Sequence, residues 1–189
     1  FIEWCYEVNN RNQVCNAGLA IAALAVWEKA PILCRDVLES SIARNRLAME
    51  SLYAPDGIYD EGAVYWSYGT TFEIALLDAL ESILGTDYGL SEVPGFDRTP
   101  YFEINMFSST GREQDFFNYA DTEDSLTLPG CIWYFVRRSG DSGFLWPVRE
   151  IYEQPSLLCD KYCDDRLAFI TLYEAVHAQI NKIAEPDAA

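Results

Sequence analysis

Apolar residues recur at helical spacing from Val14 to Lys29, with Asn12 and Asn16 near the start and Pro31 just beyond the end, which predicts a first long helix. A second is predicted over Ile32 to Tyr53, where Ile32, Leu33, Val37, Leu38, Ile42, Leu47 and Leu52 form a stripe beside a charged face of Arg35, Asp36, Glu39, Arg44 and Arg46. The short break between the two predicts an antiparallel hairpin. Ala54 to Gly57, reading APDG, is a turn that stops the second helix. Thr70 to Leu84 carries Phe72, Ile74, Leu76, Leu77, Leu80 and Ile83 and predicts a third helix, ended by Gly85 as a C-cap glycine.

From Thr86 to Pro129 periodicity weakens and the chain reads as a long, aromatic-rich loop region, the kind of segment that roofs a groove. Helical patterning returns over Gly130 to Arg138, more weakly over Gly143 to Tyr152, and as an amphipathic helix over Asp164 to Ile183. Strand alternation is almost absent. The fold class expected is therefore all-α, a stack or ring of helical hairpins forming a single domain over residues 1–189.

Composition narrows the function. Half of the 189 residues are hydrophobic, enough for one sizeable core, and the net charge is −17. Such a surface is unsuited to nucleic acid, which requires clustered lysine and arginine. It also disfavours a polyanionic ligand unless the arginines converge locally. The longest apolar run, Val14 to Trp27, is too short to span a bilayer, so no membrane partner is expected. The chain opens on Phe1 without a basic leader and reads as a mature protein or an excised fragment. Six cysteines and the single His177 make no zinc spacing, so neither metal nor cofactor is expected, and the cysteines read as mostly free, buried thiols. A lone histidine on a partly apolar helix is more often structural than catalytic.

The candidate chemistry lies in two stretches, NNRNQVCNAG at Asn9 to Gly18 and YDEGAVYWSYGTT at Tyr59 to Thr71. Asparagine amides at a helix mouth can hold a carboxylate or a sugar hydroxyl, and a tyrosine can move a proton. These are the parts for cleaving an acidic polysaccharide by β-elimination. The same residues have structural uses. Asn9, Asn10 and Asn12 can cap the helix, and at least two of Tyr59, Tyr65, Trp66 and Tyr68 are expected to be packing aromatics. Others could stack on sugar rings. The carboxylates Asp60, Glu61, Asp97 and Asp121 keep a glycoside hydrolase open. Arg98, in GFDRT at Gly95 to Thr99, is a candidate carboxylate clamp. Asn118 and Tyr119, within FNYAD at Phe117 to Asp121, are candidates to reach the groove.

Three blocks in order, NNRNQVCNAGLAIAALAV, YAPDGIYDEGAVYWSYGTTFEIALLDALESILGTDYGLSEVPGFDRT and FFNYAD, resemble the toroid domain of heparinase II/III-like polysaccharide lyases, a family that includes oligoalginate lyases. The resemblance runs from Trp4 to about Arg166. It implies a partial (α/α) toroid, the central part of a larger one, without the β-sandwich that follows it in the family. It further implies a secreted, periplasmic or extracellular bacterial lyase for uronate-containing polysaccharide or oligosaccharide. In that family an asparagine neutralises the uronate carboxylate and a downstream tyrosine acts on the C5 proton and the leaving oxygen. Carried over by motif, these are Asn10 and Tyr65, with Asn9, Asn12 and Tyr68 as alternative registers. Arg11 is then the cation nearest in sequence to lower the tyrosine pKa, and Tyr68 and Arg98 assist. Glu61, Trp66, Asn118 and Tyr119 complete the expected substrate-binding set with Asn9 and Asn12. Where relatives place histidine after the asparagine, this chain has Arg11 or Gln13, so an obligatory histidine would have to come from another segment or the protein is not a lyase, whereas a tyrosine serving as both base and acid avoids that need. Without a complete site, the chain would be a non-catalytic carbohydrate-binding scaffold. Apolar faces at the ends of an incomplete toroid predict homo-oligomerisation.

Overall fold

The computed structural model describes residues 3–106, 117, 120 and 131–145. The described residues are helical and contain no strand, and no helix among them is long and apolar enough to cross a membrane. Five α-helices are present among them: α1 (Asn10–Ala25), α2 (Pro31–Leu52), α3 (Ala63–Leu84), α4 (Thr99–Asn105) and α5 (Ile132–Ser139), with short 3-10 turns at Glu3–Tyr6, Phe96–Arg98 and Ser142–Leu145.

The first hairpin forms as its pattern predicts. Pro31 sits in the first turn of α2, where its missing N–H costs nothing. The start of α1 is hydrogen-bonded to the end of α2, so the two run antiparallel; α3 begins beside the start of α1 and runs parallel to it. Helix α1 packs along both neighbours and forms the centre of the unit. Its small residues Ala17, Ala20 and Ala23 are buried and allow the close approach. Met49, Leu52, Ile74, Leu77 and Leu80 close the core from either side.

Three expectations are corrected. The apolar stripe of α2 is rotated: Leu38 and Leu52 are buried, but Ile32 and Leu33 are 71% and 64% exposed, and Cys34, Ser41, Asn45, Ala48 and Met49 take the inner face. Helix α3 starts seven residues before Thr70, because Ala63, Trp66, Ser67 and Thr70 already form a buried helical face whose polar members hide the periodicity. The Thr86–Pro129 stretch is not all loop, since Thr99–Asn105 is a helix with Pro100 in its first turn. Helix α5 begins two residues inside the predicted Gly130–Arg138 helix and extends one residue past its end. It is pinned to α3 by Arg137–Asp78 and Arg138–Glu81 ion pairs of 2.7 and 2.8 Å. The helices expected over Gly143 to Tyr152, beyond Leu145, and over Asp164 to Ile183 lie outside the described residues, as does His177. Cys5, Cys15 and Cys34 are free thiols.

Two distant turns are stitched together beneath α3. The Trp66 indole Nε1–H donates to Thr99 Oγ1 (2.7 Å), and the Thr99 hydroxyl donates to the Gly57 carbonyl (2.7 Å). Gly95, at φ 85°, packs backbone to backbone against Tyr53 and Gly57, and a Cβ there would collide with the Tyr53 carbonyl oxygen. Only glycine satisfies both the dihedral and the approach.

Candidate functional site

The parallel arrangement of α1 and α3 brings their N-terminal ends to the same end of the molecule, and with them most of the residues singled out above. The approach is set by Gly69. A Cβ there would stand 2.6 Å from the Tyr59 hydroxyl, 2.7 Å from Gln13 Oε1 and 3.3 Å from Asn10 Cβ.

At the mouth, Asn10 holds a carboxylate. Its backbone N–H donates to Glu61 Oε2 at 2.7 Å and its side-chain Nδ2–H to Oε1 at 3.1 Å. One of the four N–H groups that begin a helix without an intrahelical partner is thus satisfied by an anion at the positive end of the helix dipole. Glu61 reaches this position from the turn preceding α3. The two motifs therefore meet at a residue pair of opposite function, an amide donor and a carboxylate acceptor.

The neighbouring asparagines have mainly structural partners. Asn9 is the N-cap of α1, its Oδ1 accepting the Asn12 N–H at 3.4 Å, and its amide donates to Glu7. Asn12 is fully buried and donates to the carbonyls of Cys5 and Glu7 at 3.0 and 2.7 Å, tying the N-terminal 3-10 turn to α1. Arg11 points to solvent and pairs with Glu7 at 3.6 Å rather than turning toward Tyr65. Tyr65 and Tyr68 are half-buried on the first turns of α3. Tyr65 packs against the core edge, and Tyr68 meets Phe72 edge-on with centroids 5.2 Å apart. Trp66 is wholly buried and offers no face to a sugar. Arg98 is exposed at the end of the Phe96–Arg98 turn, outside the Asn10–Glu61 clamp, and Asp60 and Asp97 are exposed. Asn118, Tyr119 and Asp121 lie outside the described residues.

Beneath the mouth is a polar layer that sequence reading missed. Gln13 is its hub: Nε2 donates to the Tyr53 hydroxyl at 3.0 Å, and Oε1 accepts from the Tyr59 hydroxyl at 2.7 Å. Tyr53 also shares a 2.9 Å hydrogen bond with Thr70. Burial drives both phenols well above the ordinary tyrosine range, with the Glu73 and Tyr53 charges adding to the effect, so neither ionises near neutral pH. Glu73 lies in the same layer, fully buried, with its pKa pushed up to about 8 by desolvation and only partly offset by the Asn45 and Gln13 amides. Glutamine, asparagine and glutamate inside a helix pattern normally mark its wet face, and only the tertiary pairing reveals them as interior. The one available signal was their spacing: Gln13, Asn16 and Ala20 continue the apolar face of α1, as Glu73 continues that of α3.

Chemically, the arrangement offers a preformed carboxylate-binding amide, two half-exposed tyrosines on the adjacent helix, and a rigid neutral layer supporting both. A scan against protein-family models and a search of curated proteins both returned no match to this chain.

Proposed function

We propose that the chain is the toroid portion of a polysaccharide lyase that cleaves uronate-containing chains by β-elimination, with Asn10 and Tyr65 as its principal pair. The observation that carries this reading is the grip of Asn10 on a carboxylate through two N–H donors. Removing the C5 proton places negative charge on the uronate carboxylate, and fixed amide donors stabilise that charge as it develops. Glu61 uses one Nδ2 hydrogen and thereby orients the amide, leaving the second for substrate. Tyr65, half-buried on the facing helix, takes the C5 proton as its phenolate and, now protonated, gives that proton to the leaving oxygen, with Tyr68 beside the leaving sugar. The antiparallel α1–α2 hairpin is the unit from which an (α/α) toroid is built, and a periplasmic or extracellular setting belongs to the same reading.

One observation favours a second reading, a non-catalytic carbohydrate-binding scaffold: the backbone N–H and one of the two Nδ2 hydrogens of Asn10 are already engaged by Glu61, so the seat is largely filled from within. Ultraviolet absorbance of the unsaturated uronate product separates the two. On alginate, heparan-type or chondroitin-type substrates, wild type is expected to give rising absorbance, and Tyr65→Phe, folded, about 10²–10⁴-fold less, the range of a lost general acid or base. Binding without any absorbance change on all three substrates would establish the scaffold and reject the lyase.

A further inference from the structure

Glu73 stands midway along α3 with no accessible surface, its carboxyl beside side chains of α1 and α2. From α1 the Gln13 amide lies beside its carboxyl, and from α2 the Asn45 amide. The phenols of Tyr53, at the end of α2, and Tyr59, in the following turn, respond to its charge. Among the described residues, no cation acts on it. Both ends of the Gln13 amide are committed to those phenols. Neither oxygen of Glu73, and neither end of the Asn45 amide, has a hydrogen bond of good geometry. A carboxylate so enclosed would carry its charge without a counter-ion among the described residues, which burial makes costly. Protonation removes most of that cost.

We propose that Glu73 is a pH-operated latch on the carboxylate-binding mouth. Neutral, it allows α1, α2 and α3 to close over the Gln13–Tyr53–Tyr59 chain. Ionised, it draws water into the seam, breaks that chain, and releases the turn from Tyr53 to Gly62 together with the Glu61 grip on Asn10. The link is short: Tyr59 is two residues from Glu61 and bonded to Gln13, which borders Glu73. The midpoint falls at a mildly alkaline pH, since burial holds the carboxyl at about 8. This inference does not depend on lyase chemistry, because it concerns the layer under the mouth and is read without substrate.

Hydrogen exchange of the 53–62 segment, corrected for the intrinsic pH dependence of exchange, tests it in the full chain between about pH 6.5 and about pH 9.5, the interval spanning the expected titration. Wild type should lose protection about tenfold or more across that interval, and Glu73→Gln should hold constant protection. Glu103→Gln, which alters another wholly buried acid with a strongly raised pKa, should behave as wild type. A Glu73→Gln protein whose segment still opens, or a wild type that never opens, would overturn the latch. If Glu73→Gln does not fold, infrared spectra of the Glu103→Gln protein with isotopically labelled glutamate decide. A protonated carboxyl stretch must be present near neutrality and fade in step with loop opening; its absence near neutrality overturns the proposal.

Discussion

The absent side chain of Gly69 decides how closely α3 can approach the mouth residues. Alanine is the better helix former by about 1 kcal/mol, yet a methyl group would meet the Tyr59 hydroxyl at 2.6 Å and Gln13 Oε1 at 2.7 Å. Overpacking of that kind costs about 1–3 kcal/mol, so Gly69→Ala is expected to lower the denaturant midpoint despite its propensity gain. An unchanged or raised midpoint would mean that the polar layer yields easily. Glu73 gives a second residue-scale expectation through its pH dependence. Its folded pKa of about 8 lies above the ordinary value of 4.5. The folded state therefore binds the proton more tightly, and the contribution of Glu73 to stability is fully present below the ordinary value. It is lost as pH rises through the folded pKa, at about 1.4 kcal/mol for each unit of separation. Unfolding measured from about pH 4.5 to about pH 9 should show Glu73→Gln gaining on wild type as pH rises, with the gap level beyond the folded pKa. A gap independent of pH would contradict the burial of an uncompensated acid.

At the scale of the element, the cap of α1 and the docking of α5 carry separate expectations. Asn9→Ala removes the side-chain acceptor for the Asn12 N–H and is expected to cost about 1 kcal/mol in unfolding free energy. Arg137 and Asp78 are paired at a partly covered site, so a double-mutant cycle should return a coupling of about 0.5–1 kcal/mol that shrinks with added salt. How far these elements could be read in advance depended on what their inner faces are made of. Helix α2 was legible in extent because Pro31 and the APDG turn mark its ends, but its facing was not, since Ile32 and Leu33 imitate a core stripe while Ser41 and Asn45 are the ones inside. Helix α1 starts four residues before Val14 because Asn9 caps it, Asn12 is tied to the preceding 3-10 turn, and Asn10 and Gln13 are buried by partners far away in sequence. The same cause divides the site. Asn10 and Glu61 stood out through their motifs, whereas Gln13, Asn45 and Glu73 acquire meaning only from one another.

For the molecule as a whole, the parallel run of α1 and α3 against α2 separates two unlike ends. The polar mouth occupies one. At the other, Trp27, Leu38, Ile42, Leu84 and Tyr88 line a groove of about 330 Å³, with Arg35 and Glu39 at its edge and Ile32 and Leu33 exposed nearby. We expect copies to associate through this end. With −17 on each copy, screening should assist contact between like-charged partners, so sedimentation should show a larger species that strengthens with salt and weakens in Ile32→Glu. A monomer at every salt concentration would remove the expectation. The stitch from Trp66 through Thr99 to Gly57, with Gly95 lying on Tyr53, bears on how little of the sequence can stand alone. A fragment ending at Leu84 would contain all of the first three helices, yet it would leave the Trp66 indole N–H and the Gly57 carbonyl without partners and uncover the ring of Tyr53 that Phe96 meets edge-on at 5.0 Å. A piece of this chain ending before Thr99 is therefore expected to be less stable than one that includes it, because buried polar groups of the first three helices and their turn would be left unsatisfied.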